Sequence, residues 1–560
     1  MSKNAKWAVS SVFLSCLLLI CSMPLMAQDP ANHAMAFGIS QRLDELAMMP
    51  DVAHFGFHEA APVRRIPKRN FGHVADTVLQ TSTNTPAAEF GLGADFLGVG
   101  NGFPNYSVGV APPDTTMAVG DTQVVQWVNT SYTVCQKTSP YTCGPAIAGN
   151  KLWSGLPGSP LCKTQNSGDI IAQWDVKAHR WFLTQNVFSS PYAVCLAIST
   201  TPDANGTYYL YQFGVPGGNF PDYPKWGIWP TDYGQAVNSF QGNNFVGPMV
   251  CLYNRRKLLK GDTSAEQICH QYTITPEYQD SLLPADQDSQ TDPPSGQDHF
   301  FIGSLGDVDN SHLSLYSAHI NKLSDWSQGA IFTGEGNTQL LTIATFDPAC
   351  GDSNYGGACV PQKGITDMLD SLGGRLMYRF AYWNDGPQTG PQPMAQHWLT
   401  TWDVAASEGG QNAVRWMEVT APVKVVTNTN DLSVYQQGSY APNGNWRWMG
   451  SVARDKVGDI LVGYSESCGD TCPGGTAMYP SIYVAGRTAS DPLGTLGAEV
   501  QVVGGSGSQP ATSNRWGDYS AMRIDPNDGC TFWYTTEFYK VTQAFDWSTQ
   551  VASARFANCK

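Results

Sequence analysis

Two acids near the C-terminus stand where carboxylates could share a reaction. Glu466 closes the extended run Ile460–Tyr464 with its polar tail, and Glu537 falls at the corresponding place in Cys530–Tyr539. If corresponding run ends meet at one opening, such a pair can divide general acid and general base work. Asp518 and Tyr519 lie just upstream of Glu537, in Arg515-Trp516-Gly517-Asp518-Tyr519-Ser520, and complete the candidate catalytic set. Arg515, Arg379 and Arg447 offer guanidiniums that hold a carboxylate by two hydrogen bonds. Asp114 and Asp222 sit in tight proline-bearing loops, where an Asp is as readily a turn cap as a ligand. Trp448, with Trp226, Trp229 and Trp446, lies beside Gly, Pro or Asn residues, where a ring can stack on a sugar. Asp114, Asp222, Arg379, Arg447, Trp448 and Arg515 form the candidate binding set.

The elements that must position these residues are hairpins. Tyr519–Ile524 is an extended run, Asp525-Pro526-Asn527-Asp528-Gly529 a turn, and Cys530–Tyr539 a run dense in aromatic and β-branched residues. Pro presets φ in such a turn, Asn and Asp bond their own backbone, and Gly accepts positive φ. Weaker copies recur, with turn acids Asp121, Asp175 and Asp232 about 55 residues apart, as expected of four-stranded repeats. A further copy surrounds Asp455–Asp459, and Phe300–Ile320, Leu376–Trp383 and His397–Val404 fit blades that carry insertions. The expectation is an all-β chain, a β-propeller of six or seven blades, rather than a pair of stacked sheets. Its divisions are a signal peptide over 1–27, an N-terminal extension over 28–95, which could be a propeptide, a docking arm or a loosely packed leader, and the propeller over 96–560.

Composition fixes the setting. Charged residues are 14% and hydrophobic ones 42%, so the chain can bury a large core and is not disordered. Lys3 and Lys6 precede an apolar run, Val12–Met23, too short to span a bilayer, and Ala27 offers a cleavage site. The mature chain is expected to be exported, without a membrane span, and monomeric. Twelve of the fourteen cysteines lie beyond the leader. Proximity pairs Cys135 with Cys143, Cys251 with Cys269, Cys350 with Cys359, Cys468 with Cys472 and Cys530 with Cys559, leaving Cys162 for Cys195. An oxidising compartment makes these disulfides rather than metal ligands; the bond at Cys530 would add roughly 3 kcal/mol on the loop-entropy model. Net charge is −15, and −17 without Lys3 and Lys6, which excludes nucleic acid as a partner.

Several motifs together resemble a family of exported bacterial β-propeller-like proteins. They are Pro112-Pro113-Asp114, Gln126-Trp127-Val128-Asn129, Asp222-Tyr223-Pro224-Lys225, Arg375–Arg379, Tyr435-Gln436-Gln437-Gly438, Arg447-Trp448-Met449-Gly450 and Arg515–Ser520. The resemblance covers about Phe96 to Phe556 and implies the fold and an exported location. The run Trp383–Pro387 departs from the family pattern. Arg515, Asp518, Tyr519 and Glu537 are also similar to the tools of sialidase-like propellers, although adjacent Asp528 and Gly529 do not form the Asp-x-Gly-x-x-Trp box. Gly306–Ser311 has oxygen ligands at alternate places, like the start of a Ca²⁺ loop, without the later Gly and Glu; no other cofactor or metal is indicated. No phosphate loop, zinc helix or serine elbow is present, and none of the His residues has a telling context. The reading is a secreted carbohydrate-active enzyme, a glycoside hydrolase or lyase, working with carboxylates at the propeller mouth on an extracellular glycan. The alternative is a non-catalytic propeller that binds an extracellular glycan or protein.

Overall fold

The computed structural model describes residues 29–49, 58–59, 64, 66, 74–83, 90–273, 280–305, 309–334, 339–350, 357–386, 395–407, 410–510 and 514–560. The C-terminal hairpin forms as its sequence dictates. Ala521–Ile524 pairs antiparallel with Thr531–Tyr539, Ile524 opposite Phe532. Gly529 ends the turn at φ 62°, a conformation that favours a residue without a β-carbon.

Seven antiparallel units of this kind succeed one another. Their first strands are Thr116–Val119, Ile171–Asp175, Phe220–Ile228, Asp280–Gln287, Leu376–Asn384, Trp446–Arg454 and Ala521–Ile524. These first strands neighbour one another in chain order, and the last returns to the first. The units therefore radiate from one axis, and the fold is a β-propeller. The fourth and fifth units even share a sheet, because their first strands pair in parallel with Ala285 opposite Phe380.

Apolar side chains fill every seam between units. Trp174 and Trp181 of the second unit pack against Ala118 and Val125 of the first. At the closing seam, Trp533 and Val551 of the last unit meet Met117 and Val124 of the first. Each large apolar side chain so buried contributes roughly 1.5–3 kcal/mol. A strand between two neighbours is covered on both faces, so alternation fades from its sequence: Ala193–Ser199 reads AVCLAIS and is buried throughout.

Hydrogen bonds also close the ring. Phe90–Leu97 pairs with Trp547–Phe556, so the last unit takes its fourth strand from the N-terminal side. Earlier segments do the same at other edges: Ala36–Ile39 lies on Tyr208–Gly214, Asn32–His33 on Glu266–Gln271 and Leu79–Gln80 on Ser433–Tyr440. The stretch read as an extension thus covers open sheet edges, which otherwise expose unpaired backbone groups, and a boundary at 95–96 runs inside a strand. The five proximity pairs of cysteines and the remaining pair, Cys162 with Cys195, are all bonded.

Arg523 reaches across the axis from the last unit. Its Nε donates to the Met117 carbonyl of the first unit at 3.0 Å. Nη2 donates to the Ala172 carbonyl of the second at 3.1 Å and to the Tyr378 hydroxyl of the fifth. Nη1 meets the Asp286 carboxylate of the fourth at 2.5 Å. Asp286 also accepts from Arg379 Nε at 2.8 Å and from the Ile228 amide at 3.2 Å. Burial pushes the Asp286 carboxyl up, but the Arg379 and Arg523 guanidiniums outweigh it and hold the group below its ordinary value. Arg379, expected at the mouth as a substrate ligand, is instead buried in this network, its Nη atoms on Asp288 at 2.7 and 2.5 Å.

Removing one member of a buried ionic network leaves the other uncompensated, at about 3–5 kcal/mol. Arg523→Met should therefore lower unfolding free energy in urea by about that much. Arg555→Met, which loses an exposed pair with Asp528, should cost no more than about 1 kcal/mol. Equal losses in the two variants would contradict the role given to Arg523.

Candidate functional site

Acids recur where the first strands begin. Asp114 and Asp169 stand just ahead of the first strands of units one and two, Asp222 lies at the start of the third, and Asp518 precedes the seventh. Asp114 and Asp169 have φ of 45° and 47°, left-handed values that a short polar side chain tolerates. The loops converge. The Gly517 amide donates to Glu537 at 2.5 Å and the next amide, Asp518, to Asp114 at 2.7 Å, so two consecutive N–H groups hold two carboxylates. A β-carbon at Gly517 would fall 2.9 Å from Glu537 Oε1, so a larger residue there would displace that carboxylate. Asn129 Nδ2 donates to Asp114 at 2.6 Å, and Arg515 pairs with Asp518 at 2.5 Å. The Lys225 ammonium lies 3.3 Å from the Tyr223 ring centre and 4.3 Å from that of Tyr519.

Asp114, Asp222, Arg515, Asp518, Tyr519 and Glu537 are thus brought together, with Asp169 and Lys225 added. The added pair has a faint signal: Asp169 precedes its strand as Asp114 does. Burial, reinforced by Asp518, pushes the Asp114 carboxyl up to about 7. Burial raises Asp222 to about 6 and Glu537 well above its ordinary value, and lowers Lys225 to about 8.

This mouth is closed. None of its six expected residues is more than 6% exposed. The Arg64 amide donates to Asp222 at 2.9 Å, and Arg375 donates to the Arg64 carbonyl at 3.1 Å. The Arg64 guanidinium lies 3.8 Å over the Phe220 ring, and Ile66 packs on Phe220, Phe240 and Phe245.

Glu466 does not join Glu537. It faces Arg447 across adjacent strands of the sixth unit, with Arg447 Nη2 at 3.1 Å and Asn445 Nδ2 at 2.6 Å from its Oε1. Arg447 also clasps Glu499 at 2.9 and 2.7 Å, and the Tyr464 hydroxyl donates to Glu499 at 2.8 Å. Glu537 turns to Asp114 of the first unit, whereas Glu466 turns to Glu499 of its own unit. A pocket of about 440 Å³ opens on Glu466 and Glu499, beside Tyr479, Tyr483, Asn443 and Gln501. Burial, with Glu499 adding to it and Arg447 opposing, pushes the Glu466 carboxyl up to about 8. Burial acts on Glu499 too, but Arg447 holds that carboxylate below its ordinary value. Glu466 is only 1% exposed, and its buried Oε2 has no internal hydrogen-bond partner.

Three of the four tryptophans expected to stack on sugars do not offer their faces, and the fourth, Trp446, is half-buried against the loop layer. Trp226, Trp229 and Trp448 are fully buried, Trp448 at 5.4 Å from Trp516, because the seams and loop layer take up large rings. Of the calcium-like run, residues 306–308 lie outside the described residues, and Asp309 is engaged by Ser311 and His312. Among the described residues no cluster of His, Cys, Asp and Glu could hold a metal ion. No described helix is long and apolar enough to cross a membrane.

No protein-family model matches the chain, and no curated protein does. Solved structures do. An endo-arabinase from Bacteroides thetaiotaomicron matches at 12% identity and TM-score 0.29 over 56% of this chain and 92% of its own. The WD40 domain of SCAP from fission yeast matches at 10% and 0.33 over 80% and 96%. An exo-β-1,3-galactanase from Phanerochaete chrysosporium matches at 9% and 0.27 over 83% and 96%. At these values the likenesses carry no chemistry across, and none of these three structures is a sialidase.

Proposed function

We propose that the protein is an exported carbohydrate-active propeller in which Glu466 gives a proton to a glycosidic oxygen in the pocket it shares with Glu499. One observation carries this reading: a carboxyl held protonated at neutral pH lies beside an ionised one, at an opening large enough for a sugar ring. Asn445 and Arg447 occupy Glu466 Oε1, which leaves Oε2 to carry the proton. That proton passes to the leaving oxygen as the bond to the anomeric carbon breaks. Glu499, kept ionised by Arg447, stabilises the positive charge that develops on the sugar. Water then adds to the anomeric carbon and its proton returns to Glu466. Glu466 and Glu499 both lie on Arg447 Nη2, at 3.1 and 2.7 Å, so the pair sits closer than the roughly 6.5–9.5 Å of an inverting pair. The sealed mouth has a different role in this proposal: it holds the start of the chain through Asp222 and Arg375.

The closure of the mouth favours a second reading, a non-catalytic propeller that binds an extracellular glycan or protein. One panel decides between them: purified protein with a set of polysaccharides, following reducing ends for hydrolysis and ultraviolet absorbance for a lyase. On a substrate that is turned over, Glu466→Gln should lower kcat at least about a hundredfold while leaving Tm nearly unchanged, and Glu537→Gln should leave kcat intact. If no polysaccharide is turned over, the enzyme reading fails and the binding reading stands.

The acid also sets a pH profile. Glu466 must be protonated to act, so kcat/KM should be level near neutrality and fall as pH rises through about 8. A profile without that alkaline limb removes Glu466 as the donor.

A further inference from the structure

Where the first strands end, opposite the mouth, a larger cavity of about 1120 Å³ is walled by the fourth to seventh units. That is room for more than one sugar ring, at the top of the usual range for ligand sites. Each carboxylate of the wall is already held by a cation. Asp288 is held by Arg379 at 2.5 Å, Asp525 by Lys137 at 2.9 Å and Asp528 by Arg555 at 3.0 Å. Asp385 and Glu418 lie on the two nitrogens of His397, at 2.9 and 2.7 Å, and Arg454 braces both at 3.1 and 3.5 Å.

Two cations of the wall form no ion pair among the described residues, although Glu418 lies near enough to Arg487 to favour its charge. Arg487 is only 1% exposed; its Nη2 donates to the Asp491 carbonyl at 2.6 Å, and its Nε finds no acceptor. A buried guanidinium N–H without an acceptor costs free energy that an anionic ligand would recover. Lys456 is exposed and forms no ion pair among the described residues. Tyr435 lines the same cavity with 51% of its surface exposed, although aromatic rings elsewhere in this chain are mostly buried.

We propose that this cavity binds a sugar residue bearing a carboxylate, a uronate, with the carboxylate on Arg487 and Lys456 and the ring on Tyr435. The planar guanidinium fork matches a carboxylate. The phenol ring supplies the flat apolar surface that one face of a sugar ring can cover. The hydroxyls of Ser433 and Thr420, 3.3 Å apart at an exposed edge of the same wall, can meet sugar hydroxyls. This site stands whether or not the Glu466 pocket is catalytic.

Calorimetric titration of the full mature chain with trigalacturonate, and with the same trimer fully methyl-esterified, tests the proposal. The acid should bind and the ester should bind at least about tenfold more weakly, since only the charge differs. Lys456→Gln and Tyr435→Ala, both at exposed positions, should each weaken the acid about fivefold or more without lowering Tm. Arg487→Gln should abolish binding; should that variant not fold, the two exposed variants still decide. Glu466→Gln should leave this binding unchanged, which separates its outcome from that of the catalytic reading. No binding at millimolar trigalacturonate, equal affinity for the ester, or wild-type affinity in both exposed variants would overturn the proposal.

Discussion

Asp286 holds the ring at its axis. Its carboxylate takes Arg379 from the fifth unit, Arg523 from the seventh and the Ile228 amide from the third, and Arg523 continues to the first and second units. The apolar seams supply most of the favourable free energy, but burial is non-directional and tolerates sliding of one sheet over another. Hydrogen bonds between charged groups are directional and are stronger where water is excluded. The seams therefore make the units stack, and the axial network fixes where their first strands stop. That assignment of register to the polar centre follows from geometry alone: six units meet at one carboxylate–guanidinium pair.

Burial shifts acids at several places, with different consequences. At the mouth it raises Asp114, Asp222 and Glu537, yet the loops and the Arg64 main chain close over them. In the sixth unit it raises Glu466 beside a neighbour that stays ionised, and there the pair reaches an open pocket. A perturbed acid marks a site only where a substrate can approach it. Glu466 and Glu537 are equally buried, and what separates the two clusters is the pocket that adjoins Glu466 and Glu499.

Local features were legible in the sequence. Asp-Gly turns announced the hairpins, and the disulfides follow from cysteines that neighbour one another in the chain or across paired strands, such as Cys251 and Cys269. The convergence of Asp114, Asp222 and Asp518 was also readable, because they lie at or just ahead of the first strands of repeated units. What escaped notice was set by distant partners. Asn32–His33 and Leu79–Gln80 are too short to show any period, and only the sheet edges they cover define them as strands. Glu466 matches Glu537 along the chain, but Glu499, over thirty residues on, decides where it points. His397 looked featureless because Asp385 and Glu418 reach it only across the folded sheet. Trp448 has loop-like neighbours in sequence, while its ring is taken up by Trp516.

The most direct measurement is an experimental structure of the Glu466→Gln protein with a bound oligosaccharide from the polysaccharide it degrades or binds. The account predicts a glycosidic oxygen within about 3 Å of the residue 466 side chain, with Arg64 still seated on Asp222 and Arg375. A sugar seated between Asp114 and Glu537, with the Arg64 segment displaced, would contradict it.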